Sequence, residues 1–156
     1  MEIRRAEEKD MDALEKLLKQ VLTVHHTIRP DLFKPNAQKY TRPELMELIG
    51  DDTRPIFVAV EMGEVLGYCF TVFEQHLGSN ILTDVKSLYI DDLCVDENAR
   101  GKGVGTALYG YACDFAKASG CYNVTLNVWA GNDDAMRFYE SKGLKPQKVG
   151  MEHILQ

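Results

Sequence analysis

Residues 93–106 of the chain read Leu-Cys-Val-Asp-Glu-Asn-Ala-Arg-Gly-Lys-Gly-Val-Gly-Thr, and they constrain its fold more than any other stretch. An alternating apolar segment runs into a short polar turn. Glycine then recurs at every second position (Gly101, Gly103, Gly105), and a helical pattern opens. Glycine admits backbone dihedrals closed to other residues and lets a ligand come close to the main chain. The free N–H groups and positive dipole end of a helix starting there favour an anion. The segment reads as strand, turn and helix holding a phosphate-bearing ligand at residues 101–106, and a plain tight turn is the competing reading. Two familiar phosphate motifs fail in detail. A Walker A loop needs Ser or Thr after Gly-Lys, where Gly103 stands. A dinucleotide fingerprint needs its third glycine one position later, where Thr106 stands.

The rest of the chain supplies an alternation of strands and helices. Residues 2–5, 56–61, 65–74, 85–95 and 124–128 read as strands, the second and third forming a hairpin about Met62-Gly63-Glu64. Apolar stripes at helical spacing cover 10–22, with Asp10 placed as its cap, and a helix from Val104 to near Gly120. Shorter helices follow at 43–49 and 133–142, and 145–155 offers final strand material. The stretch from His25 to Tyr40, interrupted by Pro30 and Pro35, reads as mostly irregular. Strands in series with helices between them predict an α/β (α+β) domain with a mixed sheet, and 156 residues make one domain, 1–156.

Composition narrows the function. With 24 acids against 18 bases and a net charge of −6, the chain lacks the clustered basic surface that nucleic-acid binding rests on. No apolar run reaches the roughly 20 residues of a membrane span, and residues 1–4 carry no signal-peptide pattern, so a cytoplasmic protein is expected. Cys69, Cys94, Cys113 and Cys121 show no C-x-x-C pairing, which offers neither a zinc site nor a disulfide framework. No metal is expected.

Two motifs together resemble a known family. Arg100-Gly101-Lys102-Gly103-Val104-Gly105 fits the R/Q-x-x-G-x-G/A signature of the GNAT acetyltransferases, after a strand ending in Leu-x-Val. The segment from Asn132 to Leu144 is similar to the family's N-x-x-A-x-x-F-Y-x-x-x-G-F, with Leu144 in place of the usual aromatic. The opening Ile3-Arg4-Arg5-Ala6 also resembles the family's first strand. The resemblance implies a mostly antiparallel sheet of about seven strands with a central splay, flanked by about four helices. It implies acetyl-CoA as acetyl donor, its pantetheine arm paired with the backbone of Leu93 and Val95 around Cys94. Its pyrophosphate would lie on the amides of Gly101, Lys102, Gly103, Val104, Gly105 and Thr106, flanked by Arg100. Lys102 would add charge or stay solvated. Asn132 would hydrogen-bond the cofactor, cap the next helix, or do both. Tyr139 would assist the departing thiolate, with aromatic packing as the alternative.

The resemblance leaves acceptor and base open. A branch that acetylates protein N-termini carries a glutamate five residues before the conserved asparagine, where this chain has Asn127. Tyr89-Ile90-Asp91-Asp92-Leu93 instead resembles the acid pair of small-amine acetyltransferases. Strand alternation places Asp91 and Asp92 on opposite faces, with Asp91 the first choice of base and Asp92 the second; both could equally be hydrogen-bond acceptors at a sheet bulge. His25, His26 and Phe33 lie where the family builds its acceptor pocket. Trp129 would wall that pocket or join the core. The function implied is N-acetylation of a small primary amine or lysine-like side chain. A peptide acceptor and a non-catalytic acyl-CoA-binding module are the alternatives, and a homodimer is compatible with either.

Overall fold

The computed structural model describes residues 1–156. In chain order it contains β1 (Glu2–Arg5), α1 (Met11–Ile28), α2 (Arg42–Ile49), β2 (Ile56–Glu61), β3 (Glu64–Gln75), β4 (Lys86–Val95), α3 (Val104–Ala118), β5 (Asn123–Leu126) and α4 (Asp133–Ser141). The strands form one sheet in the order β1-β2-β3-β4-β5, antiparallel except for the parallel β4–β5 pair.

The sheet is covered on both faces, which explains the unbroken apolar run of β2. Ile56 and Val58 face α1 and α2 and pack with Leu14, Leu17, Leu18, Leu45, Tyr68 and Phe70. Phe57 and Ala59 face the other way, toward Val104, Leu108, Ala112 and Ala116 of α3. Local signals set the element ends. Thr41 and Glu44 exchange side-chain-to-backbone hydrogen bonds in a capping box that starts α2, with Pro43 in its first turn. α1 runs on through His25 and His26, past the boundary the sequence suggested. It stops at Arg29, which Pro30 forces out of helical dihedrals (φ −134°, ψ 74°). Asp10 makes no side-chain cap. Its carboxylate instead receives two bonds from the Arg4 guanidinium, at 2.7 and 3.0 Å, and one from the Glu7 N–H at 2.8 Å. Burial opposes the Asp10 charge, but these donors overcome it and hold the carboxyl below its ordinary range.

The β2–β3 hairpin turns at Met62 and Gly63, both with positive φ (50° and 79°). That is a two-residue primed turn, and an exposed methionine fits its left-handed position poorly. Met62→Asn is expected to raise the stability by about 0.5–1 kcal/mol, since asparagine tolerates this conformation. A thermal melt showing no gain would mean that the turn carries no strain.

The strand count is five, against about seven expected. The segment 145–156, read as strand material, is exposed throughout and donates or accepts no backbone hydrogen bond. A strand exists only against a partner edge, and this segment meets none within its own chain.

Candidate active site

β4 and β5 part company halfway along β4. They pair from Ser87–Asn123 to Ile90–Leu126, after which β4 runs on to Val95 paired only with β3. The chain beyond Leu126 swings toward the end of α1, where the Trp129 ring meets Phe33 edge-on at 5.3 Å. This is the expected splay. The Asp96 N–H donates to Leu66 on the β3 side, and alternate residues of an antiparallel strand point their amide groups alike. The N–H and C=O groups of Leu93 and Val95 therefore aim into the opening that β5 has left, while those of Cys94 serve the β3 ladder. The Cys94 side chain is buried in the core, which pushes its thiol up to about 12.

At the end of β4 the chain makes a short helical turn (Glu97–Ala99) and enters the glycine segment. Gly101 and Gly103 both take left-handed dihedrals, with φ of 79° and 76°. A Cβ at either would meet no atom of the protein within 4 Å. The backbone N–H groups of residues 100–106 donate to no carbonyl, and α3 begins at Gly103 without a side-chain cap. This run of unpaired donors around an open, glycine-lined hollow fits a diphosphate. Arg100 and Lys102 stand exposed beside it. Gly105 differs from the other two: its Cβ would lie in ordinary contact with the Phe138 ring (3.4 Å), so it serves the seat of α4 on α3. Gly103→Val, which places a β-branched residue in a left-handed conformation and fills the hollow, is expected to weaken acetyl-CoA binding at least about tenfold. The strain is about 1–2 kcal/mol and leaves the fold intact. Calorimetry on the folded variant is the check, and unchanged affinity would make the turn purely structural.

α4 starts at Asn132, whose side chain accepts the Ala135 N–H at 3.3 Å as a helix cap. Its other face carries Phe138 and Tyr139. The Tyr139 ring packs edge-on against Phe138 (5.1 Å) and Tyr109 (6.1 Å), while no protein group hydrogen-bonds its hydroxyl. Burial raises the Tyr139 hydroxyl well above its ordinary range, and the negative charge of Asp92 pushes the same way.

The acid pair departs from expectation. The β3–β4 register slips between Phe70–Asp92 and Thr71–Ile90, leaving Asp91 as an extra residue opposite no partner. Leu88 and Ile90 face α3, whereas Cys94 faces α1. The bulge thus reverses the alternation and brings Asp91 and Asp92 to one side. Lys39 pairs with Asp91 at 3.0 Å and lies in the field of both carboxylates. Burial lowers the Lys39 ammonium, and the two acids more than offset it. Asp92 accepts a 2.6 Å hydrogen bond from the hydroxyl of the fully buried Tyr68. Burial raises the Asp92 carboxyl, against the pull of Tyr68, Lys39 and His25.

The acceptor-side residues sort differently from the sequence reading. Nδ1–H of His26 donates to the Phe33 carbonyl at 2.7 Å, a clamp on the loop. The His25 ring lies tilted against Phe33 at 5.1 Å and in the field of Asp92. Burial lowers the His25 imidazole, so its neutral form is favoured. Trp129 is 39% exposed, which excludes it from the core. Asn127 donates its amide to the Tyr89 hydroxyl at 3.0 Å. Tyr68 and Lys39 had no sequence signal: one needed the bulged register to meet Asp92, the other a course for residues 29–41 that no periodicity reveals.

Comparison with known proteins agrees with this geometry. The family model described as Acetyltransferase (GNAT) family matches residues 18–144. The uncharacterized N-acetyltransferase YhfO of Bacillus subtilis strain 168 is 30% identical over 98% of this chain and 95% of its own length. The uncharacterized N-acetyltransferase MJ1207 of Methanocaldococcus jannaschii is 38% identical over 76% of this chain, a match that takes in 51% of that protein. The crystal structure of a mutant BH1408 protein from Bacillus halodurans superposes with a TM-score of 0.95 over 100% of both chains, at 29% identity. With the split sheet, the uncapped glycine turn and the tyrosine-bearing last helix all in place, the chain belongs to the GNAT family of acetyltransferases and is an acyltransferase.

Proposed function

We propose that residues 1–156 act as one N-acetyltransferase domain that moves the acetyl group of acetyl-CoA to the primary amine of a small molecule or a lysine-like side chain. The observation that carries this reading is the unpaired edge of β4. Two backbone donor–acceptor sets, on Leu93 and Val95, lead from the acid pair and Tyr139 at one end to the uncapped glycine turn at the other. An extended amide-bearing chain ending in a diphosphate fits such an edge as an added strand would.

Acetyl-CoA supplies an acyl carbon activated as a thioester. The chain's own residues do the rest. Leu93 and Val95 align the donor by their backbone. The amides of residues 101–106, with Arg100 and Lys102, neutralise its phosphates, and Asn132, at the start of α4, hydrogen-bonds the donor. Asp92 takes the proton from the acceptor amine as the C–N bond forms. Asp91, held by Lys39, keeps an acidic neighbour for the incoming ammonium. As the C–S bond breaks, the unpartnered Tyr139 hydroxyl hydrogen-bonds the departing thiolate. His25, Phe33 and Trp129 form the aromatic wall of the acceptor side. Net charge favours a cationic amine over a nucleic acid. Four unpaired cysteines support the cytoplasm as the compartment.

The test is thiol release from acetyl-CoA against diamines, aminoglycosides, amino acids, hexosamines and N-terminal peptides. Turnover with one of the small amines is expected. A preference for N-terminal peptides would reassign the acceptor, and binding of acetyl-CoA without turnover on any amine would leave a binding module.

A further inference from the structure

Lys39 has only a supporting part in the proposed chemistry, yet it stands among the groups that carry it. It lies on the segment between α1 and α2, and its ammonium pairs with Asp91 at 3.0 Å. No other lysine reaches the acid pair: Lys9 pairs with Glu7 and Lys16 with Asp96. An ammonium has three donors, and the Asp91 carboxylate takes one of those on Lys39. The Tyr40 ring, its centroid 5.5 Å from Nζ, is the other close neighbour. The side chain is 41% exposed, so neither full burial nor a second ion pair fixes it in place.

What surrounds this ammonium is the reacting end of the site. Asp92 is held by the Tyr68 hydroxyl at 2.6 Å, and the bulge in β4 brings Asp91 to the same side. The charge of Asp92 is felt by the Lys39 ammonium, the Tyr139 hydroxyl and the His25 ring alike, so all three gather about one carboxylate. A lysine side chain is itself a primary amine on a flexible four-carbon stem. The place that suits the amine of an acceptor therefore already holds one that belongs to the chain. Tethering gives such a group an effective concentration on the order of millimolar or higher, against which a dilute free amine must compete.

We propose that Lys39 is a self-acetylation site: with acetyl-CoA present and no acceptor amine, the chain transfers the acetyl group to its own Lys39 Nζ, a step that rests on the reading of this site as an N-acetyltransferase. The ammonium first loses one proton to solvent. As the N–C bond forms, Asp92 takes a second proton from the nitrogen. The C–S bond breaks and its electron pair leaves on sulfur, as a thiolate that the Tyr139 hydroxyl hydrogen-bonds. Asp92 then returns its proton to solvent. The product is a neutral amide, which ends the ion pair with Asp91. The acid pair is left with one more uncompensated negative charge and stands open to the ammonium of the next acceptor.

The test is incubation of the full chain with acetyl-CoA carrying an isotope-labelled acetyl group, without added amine, followed by proteolysis and mass spectrometry. Lys39 is expected to take up label at least about tenfold faster than Lys34 on the same segment or Lys117 on α3. Those two are exposed and report direct chemical acetylation from solution. The rate per chain should not depend on protein concentration, because donor and amine share one molecule. In urea-unfolded protein the advantage of Lys39 should vanish. Labelling of Lys39 no faster than of the two reference lysines, an advantage that survives unfolding, or a rate that grows with protein concentration would each overturn the proposal. Thiol release against the amine panel, run on the same preparation, separates the two failures. Turnover of an added amine with Lys39 unlabelled overturns self-acetylation alone. No thiol release with any amine and no label on Lys39 would remove the N-acetyltransferase reading as well.

Discussion

Tyr139→Phe is expected to lower kcat about a hundredfold with acetyl-CoA affinity nearly unchanged, the loss typical of one donor aimed at a developing anion. Phenylalanine keeps the ring contacts with Phe138 and Tyr109 and removes only the hydroxyl. The direction of the Tyr139 shift specifies what the hydroxyl does. A phenol near 10 facing a thiol near 8.5 already makes complete proton transfer uphill by about 2 kcal/mol. Burial raises the phenol further, so its contribution is a hydrogen bond that strengthens as the thiolate forms. Single-turnover rates for the two proteins decide the matter, and equal rates would remove Tyr139 from the chemistry.

The second large effect concerns the acid pair. Asp92→Asn is expected to reduce turnover about a hundredfold or more, as for loss of a general base, and Asp91→Asn much less. In the first variant the side-chain amide oxygen would still accept from the Tyr68 hydroxyl, so the local packing survives. Activity of the wild type should rise with pH as Asp92 and the amine lose their protons, with the Asp92 limb lying above the ordinary carboxylate range. Stability carries the opposite sign. A carboxyl whose folded pKa is raised binds its proton more tightly in the folded state. Its stabilising contribution is present below the ordinary carboxylate pKa of about 3.9 and is lost as pH rises through the raised value. Asp92→Asn should therefore melt higher than wild type at neutral pH, and the gap should close in acid. A variant both fully active and no more stable would show that Asp92 neither serves as base nor bears a burial cost.

What the sequence discloses and what it conceals divide along physical lines. The glycine turn, the helix stripes and the β2–β3 hairpin were legible because dihedral needs and face periodicity are local. The splay was legible only through family resemblance, since no residue of β5 announces where pairing with β4 stops. The relation of Asp91 to Asp92 was misread because alternation assumes an unbroken ladder, and the bulge opposite Phe70 and Thr71 is a property of two strands together. His25 and His26, read alike from the sequence, take different places because α1 runs on through both: His25 lies in the field of Asp92 and His26 clamps the Phe33 carbonyl. Residues 145–155 were expected to supply the last strand material, yet a strand exists only against a partner edge, and this segment makes no backbone hydrogen bond.

The account rests on the β4 edge as the seat of the acetyl donor, and backbone amide exchange followed by NMR reads that edge directly. On saturation with acetyl-CoA, the amides of Leu93 and Val95 and those of residues 101–106 should gain protection and shift. The Cys94 amide, already committed to β3, should change little. Protection confined to other parts of the sheet, or an unaltered Leu93–Val95 edge at saturating acetyl-CoA, would contradict the placement and with it the proposed chemistry.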